Sequence, residues 1–342
     1  MPDIDWDDLP PTTLPPGISV SVQGFDNLEA AQLLGQTVGE IVALVGTVID
    51  VSMLDGITIA ADYDAALAAL DRGIDGLRPL SRSNSDEMQG IAMSPAVMRD
   101  GIVKTHLAFD AERLAPLMAE QILGQTISIA DKAHAVRIIA HECAHVQITA
   151  RKERGIPDAR FGTRIEGFER VVMFRLAEVA WDEYSVCRLS APFARGQSRD
   201  LADTVIACAD GARERADASI RAYRSHGDIE RLVDEAGYEL CQPMKAVAYL
   251  LGALDGAGIG WGEEPGAREA LDRGGFGDLV NELHAILGSM WDTQDAWEPS
   301  WSVFAPLEVW AKKLFASGGI HFHTSPDGNC SIDVPFTAGT MP

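Results

Sequence analysis

The sequence predicts a predominantly helical α+β fold, and three observations support that prediction. Short β-type runs lie in the first third of the chain, helical periodicity dominates from about residue 111 to 316, and two further β-type runs lie near the C-terminus. With 342 residues, of which 46% are hydrophobic, the chain can bury a substantial core as one large domain or two ordinary ones. We therefore expect a small sheet, a large helical body and a C-terminal β-hairpin.

The N-terminal residues differ in composition from the rest of the chain. Five of the first 16 residues are proline, and no basic start precedes an apolar run. Residues 1–18 are therefore predicted to form an extended, poorly packed arm and not a secretory signal. The most apolar segment, residues 39–54, is too short to span a bilayer and includes Glu40 and Asp50, so we expect it in a core.

Composition argues against several classes of partner. The net charge of −23 and the pI near 4.6 repel nucleic acid phosphates and anionic lipid, so we expect no nucleic acid and no membrane partner. The five cysteines include no CxxC pair, which argues against a disulfide framework and a zinc ribbon. A cytoplasmic location is therefore expected.

Hydrophobic periodicity and turn residues give the order of the elements. The predicted order is a helix over 27–46, a strand over 57–62, a helix ending at Gly73, β-type runs over 90–95 and 101–110 around the turn signal VMRDG, and a helix over 111–123. From there to residue 316 the pattern is helical, including one long predicted helix over 199–224. A Pro-Asp-Gly turn between two β-type runs then predicts the C-terminal hairpin.

The stretch IIAHECAHVQ places His141 and His145 four residues apart, with Glu142 directly after the first histidine. Asp131 stands where an N-cap is expected and Gly155 where the helix should end, so the motif lies in the middle of a helix. At about 100° per residue, the two histidines are offset by roughly 40°, and Glu142 lies about 60° from His145. Two imidazoles one turn apart can chelate a metal while the carboxylate leans over a bound water.

The rest of this helix is apolar nearly all round, which predicts that the helix is buried. An unsatisfied buried polar group costs about 1 to 3 kcal/mol, and an unpaired charge costs more. A zinc ion would supply partners for these side chains at once. The alternative is a buried polar network without a metal.

A hydrolytic zinc site needs a third protein ligand, and the continuation VQITAR excludes a third histidine of the HExxHxxGxxH kind. The next predicted helix offers Glu178, Asp182 and Glu183. Its apolar side chains, Val179 among them, form a stripe about 120° wide, and Glu183 lies in the middle of that stripe. Because a carboxylate in an apolar stripe calls for a cation, Glu183 is the predicted ligand. The alternatives are Glu178 as the ligand, and Glu183 paired with an arginine.

HECAH (141–145) followed by a helix with EYSVCR (183–188) resembles the gluzincin metallopeptidases, in which HExxH on one helix is completed by a glutamate on a later one. The second motif is similar to the E-Y-x-A-D-R run of HtpX-type and CAAX-prenyl-type proteases, and more loosely to the E-A-N/D-x-F-A run of ImmA/IrrE-type peptidases. The resemblance covers roughly residues 131–190. It departs from the HtpX-type pattern at Cys187, where those proteases have an aspartate, and it lacks their membrane spans.

The resemblance implies a zincin-like fold with Zn²⁺ as cofactor, His141, His145 and Glu183 as its ligands, and Glu142 as the general base. It also implies a zinc metallopeptidase that hydrolyses peptide bonds in a protein or peptide substrate. The predicted segments are an arm (1–18), a zincin-like catalytic region (19–190), a helical body (191–316) and a hairpin with its tail (317–342).

Three points stay open at this level. A rival function is a zincin-derived binding or regulatory module that retains structural zinc, and a further one is an all-helical interaction protein without metal. The run IVKTHLAFD (102–110) is a candidate strand for pairing with an extended substrate, or else an ordinary core strand. The group that stabilises an oxyanion is not decided among five residues: Tyr184, Tyr223, Tyr238, Tyr249 and His284.

Overall fold

The computed structural model describes residues 8–82, 90–194 and 196–341, and about 60% of the chain is helical. The predicted α+β class, mainly helical with a small sheet, is confirmed. The first seven residues of the predicted arm lie outside the described residues. No described residue of the arm is buried, and the arm is attached at Thr13, whose N–H donates to the carbonyl of Gly46 at 2.8 Å and whose hydroxyl accepts from the N–H of Val51 at 3.0 Å.

The chain divides into two compact units. The first unit comprises Met1–Arg154, Arg160–Gly162 and Ser185–Arg195. The second unit comprises Gly155–Ala159, Thr163–Tyr184 and Gly196–Pro342. The motif helix therefore belongs almost entirely to the first unit, and the helix that follows it contributes residues to both.

A mixed five-stranded sheet organises the first unit. Its strands are β1 (Ser19–Gln23), β2 (Leu54–Ala60), β3 (Ala92–Met93), β4 (Ala96–Arg99) and β5 (Ile102–Asp110). β1 pairs in parallel with β2, and β2 pairs in parallel with β5. Both β3 and β4 pair antiparallel with β5. The sequence patterns missed β1, a short strand of alternating serine and valine.

The position of β5 corrects one prediction. β5 has β2 on one side and β3 with β4 on the other, so its main-chain groups are used inside the sheet. It is an ordinary core strand, and the idea that it pairs with an extended substrate is wrong. The predicted turn signal does separate two antiparallel strands, β4 and β5, although the turn is shorter than VMRDG. The chain reverses at Asp100 and Gly101, whose φ angles of 53° and 76° suit aspartate and glycine.

The helices of the first unit surround this sheet. They are α1 (Leu28–Val45), α2 (Tyr63–Ala69), α3 (Ala111–Leu114), α4 (Ala119–Leu123) and α5 (Ile129–Gly155). The side chain of Asn27 caps α1, which buries Leu34 and Val38. Within the described residues, α1 is the helix long and apolar enough to cross a membrane by length and composition, a test that core helices and signal sequences also pass.

Two predicted helices of the first unit have different bounds from those expected. The helix predicted over 111–123 is split into α3 and α4 by a 3-10 turn at Ala115–Leu117, where Pro116 lacks a backbone N–H. The motif helix α5 begins before Asp131, so the predicted N-cap is wrong. Ser128 supplies the cap instead, because its hydroxyl accepts from the N–H of Asp131 at 3.0 Å and donates to the carboxylate of Asp131 at 2.6 Å.

The second unit is built mainly from helices. They are α6 (Phe168–Ser190), whose last turns belong to the first unit, α7 (Ser198–Ala209), α8 (Ala212–His226), α9 (Ile229–Ala257), α10 (Pro265–Arg273), α11 (Gly277–Thr293) and α12 (Ala305–Ser317). The single helix predicted over 199–224 is wrong, because α7 and α8 are separated at Gly211, whose φ of 66° lies in the left-handed region.

The predicted C-terminal hairpin is confirmed. Strands β6 (His321–Thr324) and β7 (Cys330–Asp333) pair antiparallel. The turn between them is closed by the N–H of Ser325, which donates to the carbonyl of Asn329 at 2.9 Å, and Gly328 provides the left-handed residue with φ of 85°.

Candidate metal centre

The motif lies in the middle of α5, a helix with a buried apolar surface. Ile139 and Ala144 are fully buried, and the carboxylate-bearing Glu142 is only 7% exposed. The rings of His141 and His145 lie with their centroids 5.0 Å apart and their planes nearly perpendicular, at 81°. The helical spacing therefore brings both imidazoles to one side of α5, as predicted.

His141, His145 and Glu183 each offer one ligand atom, and these atoms all lie within 4.8 Å of one another. Glu183 is on α6, two residues before the part of that helix that belongs to the first unit. One turn further along α6, the sulfur of Cys187 lies 3.9 Å from Nδ1 of His141. The last turns of α6 therefore run beside the motif, and Glu183 is the acidic residue of α6 that joins the two histidines.

The donor set has the composition that zinc requires. Two imidazole nitrogens and one carboxylate oxygen are the ligands of many hydrolytic zinc sites, which leave a fourth position open. Zinc bonds of about 2.0 to 2.2 Å in a tetrahedral arrangement separate the ligand atoms by roughly 3.3 to 3.6 Å. Atoms that already lie within 4.8 Å can reach that spacing by small side-chain rotations, so the residues present fit a zinc ion.

Glu183 also has a basic neighbour. Nζ of Lys245 on α9 lies 3.8 Å from Oε1 of Glu183, with the two side chains 26% and 12% exposed. This separation is too long for a hydrogen bond, and a partly hydrated ion pair of this length contributes little to stability. The alternative prediction pairs Glu183 with an arginine, whereas the basic residue beside Oε1 of Glu183 is Lys245.

The surroundings of Glu183 differ from the predicted stripe. Val179 is 37% exposed, although the predicted stripe includes it among the buried side chains. Trp181 and Tyr184 are buried, although they lie outside the predicted stripe. α6 is therefore buried over a wider arc than one stripe. The choice of Glu183 over Glu178 consequently rests on proximity to the histidines and not on the position of a stripe.

Glu142 is held by a residue that the sequence did not single out. Ser94, between β3 and β4, donates its hydroxyl to Oε2 of Glu142 at 2.6 Å, and Oγ of Ser94 lies 3.1 Å from the carbonyl oxygen of Glu142. Burial first, and then the negative charge of Glu142, raise the pKa of the Tyr63 phenol. The hydrogen bond from Ser94 therefore fixes the orientation of the Glu142 carboxylate.

Ser94 could not be found from the motif. It lies 48 residues before Glu142, in a break between two short strands, and Ser-Pro is a common turn pair without catalytic meaning. Cys187 differs from Ser94 in having a sequence signal, because the HtpX-type pattern has an aspartate at its position. Its contact with His141 depends on how α5 and the end of α6 pack.

Two of the residues considered for the oxyanion are engaged elsewhere. The hydroxyl of Tyr184 donates to Oδ2 of Asp255 at 2.6 Å, and Nε2 of His284 lies 3.1 Å from both oxygens of the same carboxylate. These three side chains form a network within the second unit. Their polar atoms are therefore committed to one another, and the oxyanion-stabilising group is not assigned.

Comparisons with protein-family models, with curated proteins and with solved structures found no match to this chain. The assignment of a function therefore depends on the chemistry of the site itself.

Proposed function

We propose that this protein is a zinc-dependent metallopeptidase with a zincin-like arrangement of its first unit. The observation that supports the proposal is the convergence of three ligand atoms, from His141, His145 and Glu183, within 4.8 Å. Glu142 directly follows the first histidine and is oriented by Ser94. A site that served stability alone would have no need of a carboxylate beside the metal ligands.

Each residue has a defined role in this proposal. The two imidazoles and the carboxylate of Glu183 would hold the metal. When bound, zinc supplies a Lewis acid and lowers the pKa of a water molecule to about 7. The carboxylate of Glu142 accepts a proton and returns it to the amine leaving group. The hydroxyl of Ser94 keeps Oε2 of Glu142 in one orientation.

Substituting the general base tests the catalytic part of the proposal. Glu142→Gln should retain zinc and lower the rate of hydrolysis at least ~100-fold, the range expected for loss of a general base. The measurement pairs zinc content by elemental mass spectrometry with cleavage of an unfolded protein such as casein and of a quenched-fluorescence peptide library. Glu178→Gln is the matched control, and it should retain both zinc and activity.

The same experiment separates the rival functions. Equal hydrolysis by the wild type and Glu142→Gln would contradict the assignment of the base. A wild type that binds about one zinc per chain and cleaves none of these substrates would favour the non-catalytic module.

A wild type that cannot be loaded with zinc would favour the interaction protein without metal. In that case Glu183 would serve as the partner of Lys245 and not as a metal ligand.

For a wild type that binds zinc, Glu183→Ala should abolish zinc binding and Lys245→Met should not, and the reverse result would overturn the ligand assignment.

A further inference from the structure

The thiol of Cys187 faces the ring of a proposed zinc ligand. Its sulfur lies 3.9 Å from Nδ1 of His141, and the residue is 5% exposed. Both residues belong to the first unit, so the contact is internal to that unit. Cys187 also follows Glu183 by four residues on α6, which places the two side chains on neighbouring turns of the same helix face.

The contact concerns which ring nitrogen of His141 can bind a metal. A neutral imidazole carries a proton on one nitrogen and a lone pair on the other, and a partner at one nitrogen sets which nitrogen can bind a metal. The sulfur at Nδ1 leaves Nε2 directed away from Cys187. Histidine ligands usually donate the second N–H to a carboxylate, a carbonyl or a water, and such partners change metal affinity by about 10 to 100-fold.

We propose that Cys187 is a positioning residue for the zinc site, on the basis of the proposed function. Its sulfur accepts the Nδ1–H of His141 and holds the ring with Nε2 towards the metal. A thiol is a weak acceptor and carries no charge when protonated, so it supports the ligand less strongly than a carboxylate does. The site is therefore set to bind zinc less tightly than the same three ligands with an acidic partner at position 187.

Two other roles for Cys187 make different predictions. As a fourth ligand, its sulfur would bind the metal directly and close the position that a water needs. As a core side chain alone, its volume would matter and its sulfur would not. A valine substitution keeps a small apolar volume and removes the acceptor, and an aspartate substitution replaces the acceptor with a stronger one.

The experiment compares metal affinity and not turnover. Wild type, Cys187→Val, Cys187→Asp and Cys208→Val are stripped of metal and titrated with Zn²⁺ and Co²⁺ against a chromogenic chelator. Cys208 is a matched control because it is also a buried cysteine, on α7. We expect Cys187→Val to bind both ions about tenfold more weakly, Cys187→Asp to bind at least as tightly as the wild type, and Cys208→Val to match it.

The Co²⁺ spectrum adds a reading that packing alone would not change. We expect no thiolate-to-cobalt charge-transfer band in the wild type, and the same ligand-field spectrum in Cys187→Val. A band present in the wild type and lost in Cys187→Val would make Cys187 a ligand and overturn the proposal. Unchanged affinity in Cys187→Val would overturn it as well.

Two further results have defined meanings. If Cys187→Asp does not fold, Cys187→Ser replaces it, because the serine hydroxyl oxygen can also accept the Nδ1–H of His141. A metal affinity of Cys187→Ser no better than that of Cys187→Val would count against the proposal. A wild type that binds neither ion would end the proposed function and this inference together. Normal binding by the wild type with no change in Cys187→Val would end this inference alone.

Discussion

Two clusters of histidine and carboxylate side chains differ in how their charges are satisfied. On the sheet, Nδ1 of His106 lies 3.0 Å from Oδ2 of Asp55 and its Nε2 lies 3.0 Å from the hydroxyl of Thr58. Arg99 binds both oxygens of Asp55, at 3.0 and 3.2 Å. In the motif cluster, by contrast, the ligand atoms of two histidines, His141 and His145, and of Glu183 all lie within 4.8 Å of one another.

The comparison shows what distinguishes a structural polar cluster from a candidate metal site. In the sheet cluster, both ring nitrogens of His106 have protein partners and the negative charge of Asp55 is balanced by Arg99. Gly56 leaves room for this ring, because a Cβ there would lie 3.1 Å from Cε1 of His106. The sheet cluster is therefore complete without an ion, whereas the ligand atoms of the motif cluster have the spacing and the chemistry to hold one.

The largest expected effect concerns metal content. His145→Ala removes one of three ligands and should reduce zinc from about one per chain to almost none after dialysis, because two ligands bind zinc weakly. His106→Ala should leave the zinc content unchanged. Elemental mass spectrometry on zinc-loaded, dialysed protein checks both variants. Zinc loss from the His106 variant would mean that the two clusters are not distinct in function.

The next effect is on folding stability. Asp55→Ala removes the acceptor for Arg99 and His106 and should lower the free energy of unfolding by about 2 kcal/mol, typical of hydrogen bonds to charged groups that are not fully exposed. Zinc content should not change. Urea denaturation followed by circular dichroism measures the effect, and Asp55→Asn, which keeps one acceptor, should lose less. A neutral result for Asp55→Ala would show that the sheet cluster contributes no stability.

A smaller effect is expected at the contact that orients Glu142. Ser94→Ala should lower kcat about tenfold, which corresponds to the ~1.4 kcal/mol of one charge-assisted hydrogen bond, while KM and zinc content stay unchanged. Ser94→Thr retains the hydroxyl and should recover part of the rate. If Ser94→Ala is as active as the wild type, Ser94 has no part in catalysis. If Ser94→Ala loses zinc, Ser94 supports the fold of α5.

The smallest effect is on the pH dependence of stability. Burial lowers the pKa of His106 below its ordinary 6.5, against the opposing effect of Asp55. The unfolded chain therefore binds this proton at a higher pH than the folded one, and folding stability decreases as the pH falls below about 6.5 towards the lower folded-state pKa.

Comparison with a variant isolates this contribution. His106→Gln should show a flatter decline of unfolding free energy over that pH window than the wild type does. Thr58→Val keeps the titrating ring and should keep the slope. Urea denaturation at a series of pH values from 7 downwards provides the measurement. A slope in His106→Gln equal to that of the wild type would show that the ring gains its proton equally in both states.

Much of the fold could be predicted from local patterns. The helices α1, α5 and α6 and the C-terminal hairpin follow from hydrophobic periodicity and turn residues, which act over a few neighbouring positions. The errors occur where a local signal has two meanings. Asp131 and Ser128 are both good caps, and only the hydrogen bonds show that the serine is used. Gly211 ends a helix that its neighbours would continue.

The sequence alone determined the local chemistry of the candidate site. The i, i+4 spacing of His141 and His145 and the adjacent Glu142 place three functional groups on one side of a helix, because helical geometry is set by the backbone.

Only the tertiary structure decided what surrounds them. Glu183, Ser94 and Cys187 lie 38 to 48 residues from their partners in the motif, and no local periodicity relates positions so far apart. Their arrival at the motif depends on how β3, β4 and the end of α6 pack against α5. Side-chain packing is a property of the whole unit, so it selects the third ligand atom, the partner of Glu142 and the neighbour of His141 together.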